Sequence, residues 1–299
     1  MFTIVIVNYK SEDLTIGYVK EELSKIKSNH HIVIVNNEAT KCSNEKLCKS
    51  LNAILIEDIE LLPMESSCYV ISSPVNLGFA RANNLAAKFS IKFLKNKYLL
   101  FSNNDIQITD HDICEQLIEK MEADPHIGMI GPKVVGLNGE YQSPEPFRSF
   151  LDRYCWMYLS TPFLSKKKKQ KRFKINYAAN AKEGFHYKVM GSFFMLRIQD
   201  FMECGMMDSH TFLYAEEIIL SERLKKIGKG VYYLPSVSII HAHGGTTNKV
   251  LGHKGINRHL LDSETYYYKT YIRTPSWKIF FGRLVYKTIN IIKDFIGKN

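Results

Sequence analysis

Hydrophobic positions along this chain alternate between two spacings. Phe2–Val7 is an unbroken, β-branched run, the pattern of a strand buried on both faces. Behind Ser11, a residue type that caps helices, Leu14, Val19, Leu23 and Ile26 recur at helical spacing. The pair then repeats. Strands are expected at His31–Val35, Ala53–Ile56, Tyr69–Ser72 and Tyr98–Phe101, and helices near Asn44–Leu51, over Phe79–Leu94 and over Asp112–Met121. Such alternation implies right-handed crossovers and an α/β fold, a Rossmann-like, mostly parallel central sheet with helices on both faces. Ligands of these sheets bind beyond the carboxyl ends of the strands.

The regular winding is expected to stop near residue 135, after Gly131-Pro132. Asn138-Gly139 marks a turn, and a stretch rich in proline and aromatic residues follows. Strand-like Tyr187–Arg197, a helix near Tyr214–Ile227, and strands at Gly230–Leu234 and Val237–His241 predict a second half built on the same sheet. Helices from about Ile256 to Thr270 and from Trp277 to Ile296 form a C-terminal helical appendage.

Composition narrows the classes. Six cysteines lack any CxxC pair or regular spacing, which argues against a zinc site or a disulfide framework and for reduced, buried thiols. The opening residues lack the basic region and cleavage site of a leader, and no apolar run reaches the ~18 residues of a bilayer span. A cytoplasmic chain is the expectation. The net charge of +10 suits an anionic partner, whether nucleotide, lipid phosphate, membrane surface or nucleic acid, and its excess sits in Lys166–Arg172 and beyond Arg273.

Candidate chemistry lies at strand ends. Tyr98–Phe101 runs directly into Ser102, Asn103, Asn104 and Asp105, placing a carboxylate at the ligand edge. Mg²⁺ and Mn²⁺ take one or two protein oxygens and leave other positions to phosphates and water; a turn or helix cap explains the same aspartate. Asn76–Asn84 places Gly78 where a helix starts, so the helix terminus can approach an anion closely; Arg81 either reaches a phosphate or is solvated. Glu216 and Glu217 open a later helix in apolar surroundings. They complement the helix dipole, or one acts as a general base with a raised pKa. His241 and His243, two apart in an extended segment, point to opposite sides, so one at most is a metal ligand.

Taken in order, Ile4–Tyr9, Val35–Asn37, Asn76–Ala80, Asn103–Asp105, Gly191–Leu196, Phe212–Glu217 and His241, with the tyrosine-rich Ser263–Tyr271, resemble the family-two, inverting, nucleotide-sugar-dependent bacterial glycosyltransferases of the GT-A fold, rhamnosyltransferase-like members included. The resemblance implies a GT-A domain over residues 1–255, with a nucleotide-sugar half at 1–135 and an acceptor and catalytic half at 136–255, and a helical extension at 256–299. It places Asn8, Tyr9 and Asn36 against the nucleotide base. Asn76, Gly78, Arg81, Asn103, Asn104 and Glu216 fall on the donor side. Asp105 and His241 would hold a divalent metal, Mg²⁺ or Mn²⁺, and Glu217 would be the base.

The donor implied is a UDP-, dTDP- or GDP-sugar, and the acceptor a saccharide of a surface glycan, carried in many relatives on polyprenyl diphosphate. No nucleic acid is expected. The pattern departs from the family in three places: Asn36 stands where an aspartate is usual, Glu217 is one methylene longer than the usual base, and Ile219 replaces an acidic residue. The segment from Trp277 to Ile296 interleaves apolar residues with Lys278, Arg283, Lys287 and Lys293, a composition suited to the inner face of the cell membrane or to packing on the domain. Two other classes compete. A nucleotidyltransferase-like enzyme would need a glycine-rich, basic signature after the first strand, which Asn8–Ser11 lacks; an inactive saccharide- or nucleic-acid-binding protein would not need Asp105, Glu217 and His241.

Overall fold

The computed structural model of the chain describes residues 1–159, 165, 167–168, 176–242 and 247–296. His243 and most of Lys166–Arg172 lie outside the described residues. Strands β1 (Phe2–Asn8), β2 (His30–Asn37), β3 (Ile54–Ile56), β4 (Cys68–Ser73) and β5 (Tyr98–Ser102) alternate with helices α1 (Glu12–Gly17), α2 (Lys41–Leu51) and α3 (Phe79–Phe89). α1 continues as a π turn over Tyr18–Glu22, and α3 as another over Ser90–Leu94. The five strands are parallel in the order β3-β4-β2-β1-β5.

The second half extends the same sheet with β6 (Ile106–Ile108), β7 (Ile127–Gly136), β8 (Gly184–His186), β9 (Phe193–Arg197) and β10 (Gly230–His241). β9 inserts antiparallel between β5 and β7, β10 runs parallel to β7, and β6 and β8 pair antiparallel with β10. Helix α4 (Ile113–Ala123) precedes β7, and α5 (Glu216–Lys226) precedes β10. Period-two alternation sorts the strands between two cores: Phe2, Ile4 and Ile6 face one, Val5, Val33 and Val35 the other. Each face is covered, which is why these strands read as continuous apolar runs.

The winding stops close to residue 135 as expected, where β7 ends at Gly136, but β7 itself was not expected, and Gly131-Pro132 lies inside it. Proline gives no N–H to a ladder, and it is tolerated here because Pro132 stands opposite Leu234 where the β10 register shifts. The same irregularity joins the two strands expected at Gly230–Leu234 and Val237–His241 into one. Asp110 secures it, accepting from the Ser238 amide at 2.7 Å and its hydroxyl at 3.0 Å. Among the cysteines Cys68, Cys114 and Cys155 are buried as expected, whereas Cys42 is exposed.

Helices α6 (Thr247–Thr270) and α7 (Ser276–Ile296) end the described chain, so the expected boundary at residues 255 and 256 falls within one helix. A third core holds them to the domain: Leu261, Tyr267, Tyr268, Ile279 and Tyr286 pack with Phe150, Tyr154, Ala215 and Ile219. Glu264 is buried there and meets Arg153 Nε and the Tyr154 hydroxyl, both at 2.5 Å.

Candidate active site

The carboxyl ends of β5, β1, β2 and β4 are tied by a line of amides and hydroxyls. Asn104 donates to Ser11 Oγ (3.0 Å) and Thr15 Oγ1 (2.8 Å), and Thr15 donates to Asn8 Oδ1 at 2.7 Å. Asn8 Nδ2 donates to Asn36 Oδ1 at 2.9 Å. Asn36 Nδ2 then donates to Ser43 Oγ and Asn44 Oδ1, both at 2.8 Å, and Asn44 to Ser72 Oγ at 2.9 Å. Asn8 and Asn36 are 0% and 1% exposed, so they form the floor of this edge, with both amide hydrogens of Asn36 committed inside the protein. Tyr9 lies at the rim. Beside it Lys10 and Glu38, both at positive φ, pair at 3.2 Å, and the Tyr9 hydroxyl and Lys10 hold the Glu38 carboxyl below its ordinary range.

Asn76 organises the next loop: its Oδ1 accepts from Asn37 Nδ2 and from the Gly78 amide, each at 2.9 Å. The sequence marked Gly78 as a close approach to an anion, and the close approach found is to the chain itself. Gly78 adopts φ +76°, a Cβ there would collide with the Phe212 carbonyl, and the Phe79 amide donates to that carbonyl at 2.8 Å. Arg81 Nε donates to the Ser209 carbonyl at 3.0 Å, and Asn84 exchanges two bonds with Met207. The start of α3 thus clamps residues 207–212, the segment leading to the acid pair.

At the far end of β5, Asp105 and His241 meet as expected. Asp105 Oδ1 is buried without a hydrogen bond and lies 3.4 Å from His241 Nε2, while the Asp105 carbonyl accepts from the Ala242 amide at 3.0 Å. His241 Nδ1 is 2.8 Å from Gln142 Oε1, and Gln142 Nε2 donates to the Glu140 carboxylate at 3.2 Å. That second bond orients the amide with Oε1 toward Nδ1, which makes Nδ1 a donor and turns Nε2 toward Asp105. An orphaned carboxylate oxygen facing an imidazole nitrogen fits a divalent cation that takes its remaining ligands from a diphosphate. Among the described residues no group of three His, Cys, Asp or Glu forms a metal cage.

The acid pair begins α5 behind two left-handed residues, Tyr214 (φ 73°) and Ala215 (φ 69°), a strained entry that loops seldom keep without a use. Ser263 of α6 supports it, donating to the Leu213 carbonyl at 2.8 Å. Glu216 is 4% exposed with Oε1 unpartnered, and burial together with the neighbouring Glu217 pushes its carboxyl up to about 8. Glu217 turns the other way: Oε1 meets Lys188 Nζ at 2.9 Å, and Oε2 lies 3.3 Å from where a Cβ on Gly191 would stand. Asn103 donates its amide to the Ser192 carbonyl at 2.8 Å. Gly191 thus faces Glu217, and the next residue, Ser192, bonds Asn103, two residues before Asp105. Lys188, Gln142 and Asn37 carry no sequence signal of their own; only the Val35–Asn37 motif touches one of them.

A sheet of this order with its polar residues gathered at one carboxyl edge defines a GT-A glycosyltransferase fold. The sequence profile of glycosyl transferase family 2 matches residues 3–197, and the chain belongs to that family. It is 23% identical over 246 residues to the low-salt glycan biosynthesis hexosyltransferase Agl10 of Haloferax volcanii, covering 80% of this chain and 66% of that protein. The mannosyltransferase PcManGT of Pyrobaculum calidifontis, solved with GDP-Man and Mn²⁺, superposes with a TM-score of 0.57 at 11% identity over 92% of this chain and 64% of its own. GalNAc-T7, solved with UDP, GalNAc and Mn²⁺, gives 0.52 at 15% identity over 81% and 44%. The chain thus spans between 44% and 66% of the length of these proteins.

Proposed function

We propose that this chain is an inverting glycosyltransferase that moves a sugar from a nucleoside-diphosphate sugar to an acceptor hydroxyl in the assembly of a surface glycan. The observation that carries the reading is the buried, orphaned Asp105 Oδ1 lying 3.4 Å from His241 Nε2, a ready place for a cation beside a diphosphate. Family membership and the glycan biosynthesis role named for the Haloferax relative support it, as do the nucleotide sugars and Mn²⁺ of the structural neighbours. Residues 1–135 hold the donor and residues 136–255 the acceptor and base.

In this mechanism Glu217 takes the proton from the acceptor hydroxyl. The acceptor oxygen forms the new bond to the anomeric carbon as the bond to the nucleoside diphosphate breaks on the opposite face, and configuration inverts. Asp105 and His241 would hold Mg²⁺ or Mn²⁺, which when bound supplies positive charge to the departing diphosphate. The buried asparagine line fixes the floor beneath the nucleoside without contributing charge. Glu216, neutral at pH 7 by its raised pKa, keeps a second negative charge away from the base.

The acceptor is a saccharide, carried on polyprenyl diphosphate at the inner face of the cell membrane, with the chain bound peripherally there. No described helix is long and apolar enough to cross a membrane. The test is thermal-shift screening against UDP-, dTDP- and GDP-sugars with and without Mn²⁺, followed by transfer assays of Glu217→Gln. One nucleotide class is expected to stabilise the chain in a metal-dependent way, by about 2.7 kcal/mol at 100 times Kd. Glu217→Gln is expected to keep that binding and lose transfer by roughly 10²-fold or more. No response to any nucleotide sugar, or full transfer by the variant, would overturn the donor site or the base respectively.

A further inference from the structure

Glu217 does not stand alone at the site. Lys188 lies in the segment leading into β9, where an antiparallel bridge fixes its backbone: the Glu145 amide donates to the Lys188 carbonyl at 3.0 Å and the Lys188 amide to the Glu145 carbonyl at 3.3 Å. Its ammonium reaches Glu217 Oε1 at 2.9 Å and Glu145 Oε1 at 3.1 Å, and its side chain is only 12% exposed. One enclosed cation is thus shared by two carboxylates from different elements. Burial opposes the charge on Lys188, yet Glu145 and Glu217 outweigh it and raise its pKa. Burial opposes the charge on Glu145 as well, and Lys188, Arg153 and Arg148 outweigh it and hold the carboxyl below the ordinary range.

We infer that Lys188 is a positioning residue for the base, anchoring one oxygen of Glu217 while the other stays turned toward Gly191. The inference rests on the reading of Glu217 as base. A carboxylate at the start of a helix has free rotamers, and an anchored oxygen removes most of them. Lys188 binds one oxygen, and Gly191, three residues on, leaves the second uncovered. A cation wholly committed to Glu217 would also weaken it as a proton acceptor. Glu145 draws on the same ammonium, so Lys188 is not committed to Glu217 alone. The groups facing the base are then Lys188, Glu216 and, through the lysine, Glu145.

The test uses Lys188→Met, Lys188→Arg and Glu145→Gln in the whole chain. Turnover is read as release of nucleoside diphosphate from the stabilising UDP-, dTDP- or GDP-sugar, with water as acceptor. Lys188→Met is expected to lower kcat about 10- to 100-fold with an unchanged donor KM. It should also move the acid limb of the pH profile upward, since the acid pair then has no cation beside it. Lys188→Arg should restore most of the rate. Glu145→Gln should move the acid limb downward, because Glu217 then has the lysine to itself; this opposite sign decides the matter if Lys188→Met fails to fold. An unmoved acid limb in Glu145→Gln, or in folded Lys188→Met, overturns the inference even where Glu217→Gln is inactive. Full turnover by Glu217→Gln overturns the base reading instead.

Discussion

Asp208 shows how much a single buried charge can organise. Its Oδ2 accepts from the Tyr271 hydroxyl at 2.6 Å and the Tyr266 hydroxyl at 2.9 Å and lies 3.1 Å from Arg223 Nη2, while Oδ1 accepts from the His210 amide at 3.0 Å. Burial works against the ion, but these donors outweigh it and hold the carboxyl at about 2. A folded pKa below the unfolded one contributes stability that is complete above the unfolded value and is lost as pH falls toward the folded value. Asp208→Asn should therefore cost about 2 kcal/mol at neutral pH. Chemical denaturation of the two proteins should show that gap narrowing from about pH 5 down to about pH 2, and a gap independent of pH would remove Asp208 from this role. The sequence does not single out Asp208, because most of its partners lie far along the chain: Arg223 on α5, Tyr266 on α6 and Tyr271 just beyond it. The places of Asp105, Glu217 and His241 were legible because Asp105 lies between β5 and β6, Glu217 stands in the first turn of α5 and His241 ends β10. Gln142 and Lys188 were not, since each acts on a residue far away in the chain.

Elements followed the pattern wherever local chemistry and packing agreed. β1, β2, β4, β5 and α3 fell where period and burial put them, because a strand covered on both faces can only be apolar throughout. Pro132 and Pro235 hid β7 and the continuity of β10, since proline is read locally as a break and is accommodated here by pairing with a distant irregular strand. Gly78 is the converse case: the sequence marks it for approach to an anion, and the neighbour found is Phe212 of another segment. Adding a methyl group there imposes a backbone conformation that only glycine adopts readily and drives Cβ into a carbonyl oxygen. Gly78→Ala should destabilise the fold by about 3 kcal/mol and separate α3 from residues 207–212. Hydrogen exchange that stays unchanged at the Phe79 amide, with stability within about 0.5 kcal/mol of the parent, would contradict this account.

At the scale of the molecule, α7 leaves a large apolar surface uncovered. Its inner face is settled: Ile279 and Tyr286 join the third core, Gly282 admits the Phe150 ring, and Arg283 bonds Thr265 at 2.8 Å and Asp262 at 3.0 Å on α6. The outer face carries Trp277, Phe280, Leu284 and Ile291, at 64%, 71%, 52% and 69% exposure, with Lys278 and Lys287 beside them. Trp277, Phe280, Leu284 and Ile291 recur at helical spacing and so share one side. A stripe of that kind, flanked by lysines on a chain of net charge +10, fits the headgroup region of an anionic bilayer. The chain should float with vesicles containing phosphatidylglycerol and much less with neutral phosphatidylcholine vesicles, and rising salt should weaken the association. Replacing Trp277, Phe280 and Leu284 together by serine should abolish flotation with little change in thermal stability, because none of the three is buried. Flotation that survives the triple change, or is equal on neutral and anionic vesicles, would place the membrane contact elsewhere. If it is lost while turnover with water as acceptor is retained, α7 serves to bring a lipid-linked acceptor to a site that is already complete.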